Sequence, residues 1–248
     1  MNLEPEPSLV DNPERSLVYS SPLIHERRQR ILKETRKLLA EVGVEGFTIR
    51  TLCSRAGVAQ RTLYNAFHSK DRIMALAIRE AYEDVNSYIR YRTSASTLEG
   101  IVDRLISINS RNLRAINYTR AVTSIYFSPD AHPDIWRALR SMVDLNLNQW
   151  LGKLEKENNL QSWVNVQELA HNFANLEYAT INDWAQGRIS DDDYVPRLVG
   201  AFLSLAVGAI KGEELDRAVQ MLKDISREGK LPSFPKPVLQ PPPSDKQD

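Results

Sequence analysis

The stretch from Thr48 to Lys70, TIRTLCSRAGVAQRTLYNAFHSK, constrains the fold of this chain more than any other. Thr48 is a helix-capping residue, and Gly57 permits the backbone geometry that a sharp turn demands. Leu52, Ala56, Val58, Leu63 and Phe67 supply an apolar inside that can hold two short helices at a steep angle. Ala56 is small enough to let those helices approach, and Cys53 sits on the inner side as a small hydrophobe. Ser69 caps the helix that follows, with Asp71 placed well for its dipole. The expectation is helix, tight turn, helix, then the start of a longer helix.

The second of these short helices keeps Gln60, Arg61, Thr62, Tyr64 and Asn65 away from its apolar side. Arg61 can bridge guanine O6 and N7, Gln60 and Asn65 can pair with adenine, and Thr62 can meet a thymine methyl or a phosphate. Tyr64 can donate its hydroxyl to a phosphate oxygen. Thr48 opens a helix whose free N–H groups suit a phosphate. Arg50, His68 and Lys70 flank the set, and Ala59 stands at the start of the second helix. Each residue alone fits a solvated helix face; cap, glycine and spacing together favour a helix placed in the major groove of DNA.

Net charge over the 248 residues is zero, but it is unevenly spread. Residues 23–92 hold 14 Lys/Arg against 8 Asp/Glu, a net of +6, and the remainder holds 18 against 24, a net of −6. A basic module joined to an acidic body is the simplest reading. The single cysteine, Cys53, excludes an intramolecular disulfide and a thiolate-rich metal site. His25, His68, His132 and His171 lie far apart, and no nucleophile elbow, phosphate loop or metal-spaced His pair is present. No catalytic residue, metal or cofactor is therefore expected, and the chain does not read as an enzyme. The longest apolar run, 198–210, is too short to span a bilayer, and no secretory signal is evident. A cytoplasmic setting without membrane contact is expected.

Prolines cluster at the two ends, so residues 1–21 and 230–248 read as disordered tails, the second proline-rich. The interior reads as all-α, with no stretch alternating convincingly enough for a strand. Ser21-Pro22 opens the first helix; Ile24, Arg28, Ile31, Thr35, Leu38 and Val42 line one stripe, and Gly43 and Gly46 end it. The fourth helix runs to about residue 92. Helices are then expected over 98–116, 119–127, 134–158, 166–186, 191–211 and 213–227. On the 166–186 helix Val166, Ala170, Phe173, Glu177, Ile181 and Trp184 form one stripe. The 198–210 segment is apolar nearly all round and so must be buried; within it Ala201, Ser204 and Gly208 form a small-residue line.

Thr48, Ile49, Leu52, Ala56-Gly57-Val58, Thr62-Leu63-Tyr64, Phe67 and Ser69-Lys70-Asp71 resemble the N-terminal motif of the TetR family of bacterial transcriptional regulators. The resemblance covers residues 24 to about 80. Cys53 stands where the family usually has alanine, and Ala59 where it usually has a serine or threonine cap. The resemblance implies a three-helix DNA-binding domain over 22–75 (motif 48–67) and a helical effector-binding and dimerisation domain over 76–229. It implies a ligand-responsive homodimeric repressor whose partners are a palindromic operator in double-stranded DNA, a second copy of the chain, and a small organic effector. Candidate effector-pocket residues are Tyr118, Tyr126, Phe127, Trp136, Asn146, Trp150, His171, Asn172 and Asn175, and no excess of charge points to an ionic ligand. Candidate dimer-interface residues are Phe173, Ile181, Trp184, Ala201, Ser204, Leu205 and Gly208. The competing reading is a helical interaction module whose helix-turn-helix no longer reads DNA.

Overall fold

The computed structural model describes residues 22–129 and 133–239. The expected disordered tail over 1–21 lies outside them, as do His132 and residues 240–248. The described residues form ten helices and one short two-stranded ladder.

The N-terminal unit comprises α1 (Pro22–Gly46), α2 (Ile49–Ala56), α3 (Gln60–Phe67) and α4 (Lys70–Ser87). Ile31, Leu32, Thr35, Leu38 and Leu39 of α1 are buried, and the Thr35 hydroxyl donates to the Ile31 carbonyl, 2.8 Å away. The expected stripe holds in its middle but not at its ends. Ile24 and Val42 are exposed, because the first turn and the last residues of α1 run past the helices that cover its centre. Gly43, at φ 67°, interrupts the helix before Gly46. In the first half of α4, Ile73, Met74, Ala75, Ala77 and Ile78 are all buried. A helix covered on every side is wedged between neighbours; α4 packs against α1 on one flank and against the body on the other.

The body comprises α5 (Leu98–Asn112), α6 (Ile116–Tyr126), α7 (Pro133–Lys156), α8 (Val166–Ala185), α9 (Asp191–Ala209) and α10 (Glu213–Glu228). Side-chain caps start three of them: Thr97 accepts from Gly100 N, Asn165 from Glu168 N, and Ser190 from Asp193 N. A side chain at Gly100 would meet the Ser94 carbonyl oxygen at 1.7 Å, so this close approach admits glycine alone. The expected helix over 98–116 is instead two helices. The chain turns at 113–115, where Arg114 N and Ala115 N bond back to Arg111 O and Asn112 O. No Gly or Pro marks that break, so local propensity could not reveal it.

Two further differences concern the ends of helices and the tail. The fourth helix stops at Ser87, and Ile89–Arg90 (β1) pairs antiparallel with Val238–Leu239 (β2). Residues expected to belong to a disordered tail thus hold a backbone ladder, and Leu231 and Phe234 pack half-buried against the core. The pairing spans about 150 positions of sequence and is two residues long, which places it beyond the reach of local alternation.

Candidate nucleic-acid interface and interior cavity

The turn between α2 and α3 is built as the sequence requires. Thr48 accepts the Thr51 amide at 3.1 Å, and Gly57 adopts the left-handed conformation (φ 62°, ψ 43°) that closes α2. Leu52, Ala56, Leu63 and Phe67 are fully buried, and Phe47 joins them. Cys53 is half-buried against the core, and burial raises its thiol pKa. Arg28 lies over the Phe67 ring at 4.7 Å and Lys70 over Phe47 at 5.6 Å. Ala59 opens α3 in extended backbone with no side-chain cap.

The opposite face of α3 is open. Gln60, Arg61, Tyr64 and Asn65 are exposed, as are Thr48, Arg50, Ala59 and His68; Thr62 and Lys70 are half-buried. No hydrogen bond or ion pair within the described residues engages the side chains of Arg50, Gln60, Arg61, Tyr64, Asn65 or His68. Arg55, by contrast, pairs through both guanidinium nitrogens with Glu41 of α1, and that bond holds the Glu41 carboxyl below its ordinary range. The basic residues therefore divide into some spent on the fold, such as Arg55, and others left for a partner.

Beyond α4 the helices enclose a cavity of about 230 Å³. It is lined by Ala81, Tyr82 and Asn86 of α4, Ile108, Arg111 and Asn112 of α5, Tyr118, Thr119 and Val122 of α6, Met142 of α7, and Glu177, Tyr178 and Ile181 of α8, with Ala115 from the turn before α6. A smaller lobe shares Ile108 and Glu177 with it and reaches Asn146, Phe173 and Phe202. The tyrosine hydroxyls are tied to main chain: Tyr82 donates to Met142 O at 2.9 Å, Tyr118 to Ile78 O at 3.1 Å, and Tyr178 to Leu139 O at 2.8 Å. Burial raises all three phenol pKa values, that of Tyr82 to about 12.

The expected pocket residues scatter. Tyr118 and Asn146 face the cavity. Trp150 is fully buried in the core beside Phe173 and Phe202. Tyr126 stacks between Tyr178 and Trp136, with centroids at 3.9 and 5.7 Å, and its hydroxyl donates to Asn175. Phe127, His171, Asn172 and Asn175 are exposed. Aromatic residues at helical spacing went mostly to core and surface; the cavity wall takes Tyr82, Asn112 and Glu177, which the list omits. Glu177 on the apolar stripe of its helix was the signal, since a lone carboxylate there must face either a partner or a hollow.

The expected dimer residues also divide. Phe173, Ile181 and Trp184 are buried inside their own chain and cannot meet a second copy. Phe173 packs on Phe202 with centroids 4.5 Å apart; Trp184 stacks on Tyr194 and donates Nε1–H to Asp191 at 2.7 Å. Ser204 and Gly208 are exposed and Ala201 and Leu205 half-buried, so α9 does present its small-residue line outward.

Residues 31–77 match the family described as bacterial regulatory proteins, tetR family. Over 112 residues the chain is 32% identical to the HTH-type transcriptional repressor KstR of Rhodococcus jostii (strain RHA1), a match covering 45% of this chain and 53% of that one. It is 27% identical over 160 residues to the repressor KstR2 of the same organism, covering 59% and 74%. The chain thus spans about half the length of the first relative and about three quarters of the second. Among solved structures, a TetR transcriptional regulator from Rhodococcus sp. RHA1 superposes with a TM-score of 0.58 at 20% identity, covering 75% of this chain and 98% of the other. Thermus thermophilus FadR, a TetR-family repressor in complex with lauroyl-CoA, superposes at 0.50 with 18% identity, covering 84% and 97%. Residues 31–77 thus carry the N-terminal module of the tetR family of bacterial regulatory proteins, and the chain shares the fold of the solved TetR-type structure from Rhodococcus. No helix among the described residues is long and apolar enough to cross a membrane.

Proposed function

We propose that this protein is a homodimeric, ligand-responsive transcriptional repressor, acting in the cytoplasm, that binds a palindromic operator through α3. The observation that carries the reading is the two-sidedness of α3. Leu63 and Phe67 are fully buried, while Gln60, Arg61, Tyr64 and Asn65 stand exposed with no side-chain partner among the described residues. A helix that anchors one face and leaves long polar side chains free on the other is equipped to enter a major groove. The loss of the usual cap at Ala59 does not alter that exposure.

One such helix reads few base pairs, and a twofold pair reads a palindrome. The outward line of Ala201, Ser204 and Gly208 on α9 lets a second copy approach closely and supports α8–α9 packing between subunits. The cavity beside α4 supports an internal effector site, and FadR, which holds lauroyl-CoA, shares the fold. One helix, α4, is shared by the cavity wall and the N-terminal unit. Tyr82 of α4 lines the cavity, and the same helix meets α1 through Glu80 with Gln29 and Asp84 with Arg36. An effector that changes how α4 sits would change the spacing of the two recognition helices and release DNA.

Selection of bound fragments from random duplex DNA, with sedimentation of the complex, tests the reading. A palindromic motif bound by an even number of chains is expected. A monomer that enriches no motif would refute it.

A further inference from the structure

Among the described residues Glu177 is the one carboxylate that lines the cavity, and it stands where the two lobes meet. Its Oε1 accepts the Asn109 amide at 3.0 Å. Asn109 has no freedom to turn. Its Nδ2 also donates to Leu105 O at 2.9 Å, and its Oδ1 accepts from Tyr194 Oη at 2.5 Å and from Asn112 Nδ2 at 3.0 Å. The amide therefore presents N–H to Glu177, and Glu177 Oε1 is fixed as an acceptor. Its second oxygen has no hydrogen bond within the described residues.

Among the described residues no cation is paired with Glu177. Tyr82 on α4, Tyr118 on α6 and Tyr178 on α8 have committed their protons to main-chain carbonyls. Tyr194 on α9 serves Asn109. Arg111 on α5 lines the cavity but forms no ion pair with Glu177; from α7 the linings are Met142, Val143, Asn146 and Leu147. Desolvation raises the carboxyl above its ordinary range, with the Asn109 bond opposing. With Oε1 occupied as an acceptor and no cation paired with it, the carboxyl in its protonated form presents Oε2–H to the cavity as a donor.

We propose that Glu177, held by the Tyr194–Asn109 chain, recognises the effector by donating a hydrogen bond to an uncharged oxygen, a carbonyl or hydroxyl, on an otherwise apolar molecule. The proposal rests on reading the cavity as the effector site. It deepens that reading by assigning the ligand's charge and its one obligatory polar atom. An amine would need an ionised carboxylate, and a ligand carboxylate would need a cation at this position. Neither is supplied. A pure hydrocarbon would fill the cavity and leave the donor unmet, which costs affinity.

Four probes of equal chain length separate these cases: methyl octyl ketone, decane, decylamine and decanoate, titrated into the full chain by tryptophan fluorescence. The ketone should bind about tenfold tighter than decane, as one buried hydrogen bond predicts, and tighter than either ion. Glu177→Gln keeps a donor on the same skeleton and should hold ketone affinity within about threefold, whereas Glu177→Leu should erase the ketone–decane difference. Decylamine binding tightest and lost in Glu177→Gln would overturn the proposal, because the carboxylate would then be a counter-ion. Equal affinity for ketone and decane, or binding of none of the four, would overturn it as well. Duplex binding by the same preparations reports the regulator reading separately. A chain that shifts DNA but ignores every probe fails here alone, and one that prefers the ketone but shifts no DNA fails there alone.

Discussion

The guanidinium Nε of Arg30, in the middle of α1, donates to the main-chain carbonyl of Ala56 at the end of α2, 3.0 Å away. That carbonyl is one of the last in its helix and has no partner within it. The bond fixes where α2 ends relative to α1, and the turn at Gly57 then sets the direction of α3. Arg30→Ala should cost about 1–2 kcal/mol of stability, within the range for hydrogen bonds to charged groups, measured by urea unfolding. It should also weaken duplex binding although Arg30 lies on α1 rather than on the recognition helix. Unchanged stability would show that the turn is held by the apolar core alone.

Within the proposed interface, Arg61 and Lys70 have different surroundings. Arg61 is exposed with no partner among the described residues; Lys70 is half-buried with its ammonium near the Phe47 ring. Arg61→Ala should cost about 1–3 kcal/mol on the preferred sequence and relax the preference at one base pair. Lys70→Ala should weaken all duplexes alike and reduce the salt slope by about one. Anisotropy titrations on matched and mismatched duplexes decide between base and phosphate contact for each residue.

Ala59 offers a test with the opposite sign. Its backbone is already in the extended conformation of a cap, at φ −72° and ψ 148°, yet no side chain bonds the α3 amides. Ala59→Ser should raise stability by about 1 kcal/mol, read as a shift in the urea midpoint at constant slope. A neutral outcome would mean that the first turn of α3 is already held by its packing.

Glu177 links the cavity to pH. Unfolded, its carboxyl ionises near the ordinary 4.5; folded, burial raises that value. Below the unfolded value both states carry the proton, and the full stability is present. As pH climbs between the two values the unfolded state gives up its proton first, so stability falls until the folded group ionises. Glu177→Gln should flatten that part of the profile and leave the acid side unchanged. Unfolding measured at a series of pH values checks it.

The β1–β2 ladder makes the last prediction. A chain ending at residue 230 loses the partner strand of Ile89–Arg90 together with Leu231 and Phe234. Amide exchange at the paired end of β1 should speed up and the unfolding midpoint should fall, with α2 and α3 unaffected. Unchanged exchange at Ile89 and Arg90 would show that the ladder adds nothing to the fold.

What could be foreseen in the sequence follows the range of the interactions. The helix-turn-helix is specified within about twenty consecutive residues by a cap, a left-handed glycine and an apolar period, and Thr48, Gly57, Leu63 and Phe67 take the places those signals require. The helices of the body were visible by period, but their partners were not. Trp150 and Tyr126 were expected around a ligand and are enclosed by aromatic neighbours. Phe173 and Trp184 were expected between subunits and fill the chain's own core. An apolar stripe states that a face is covered and leaves open what covers it. Glu177 was visible on such a stripe, but its meaning depended on Asn109, 68 positions away, and on a cavity assembled from five helices.

The central claim is that the free face of α3 reads DNA in a twofold pair. Affinity of the full chain for its selected palindrome, measured across a salt series beside a scrambled duplex of equal length, tests it most directly. Binding should fall steeply and linearly on a log–log plot against salt, with the palindrome preferred by about a thousandfold or more. Equal affinity for the two duplexes, or none for either at low salt, would contradict it.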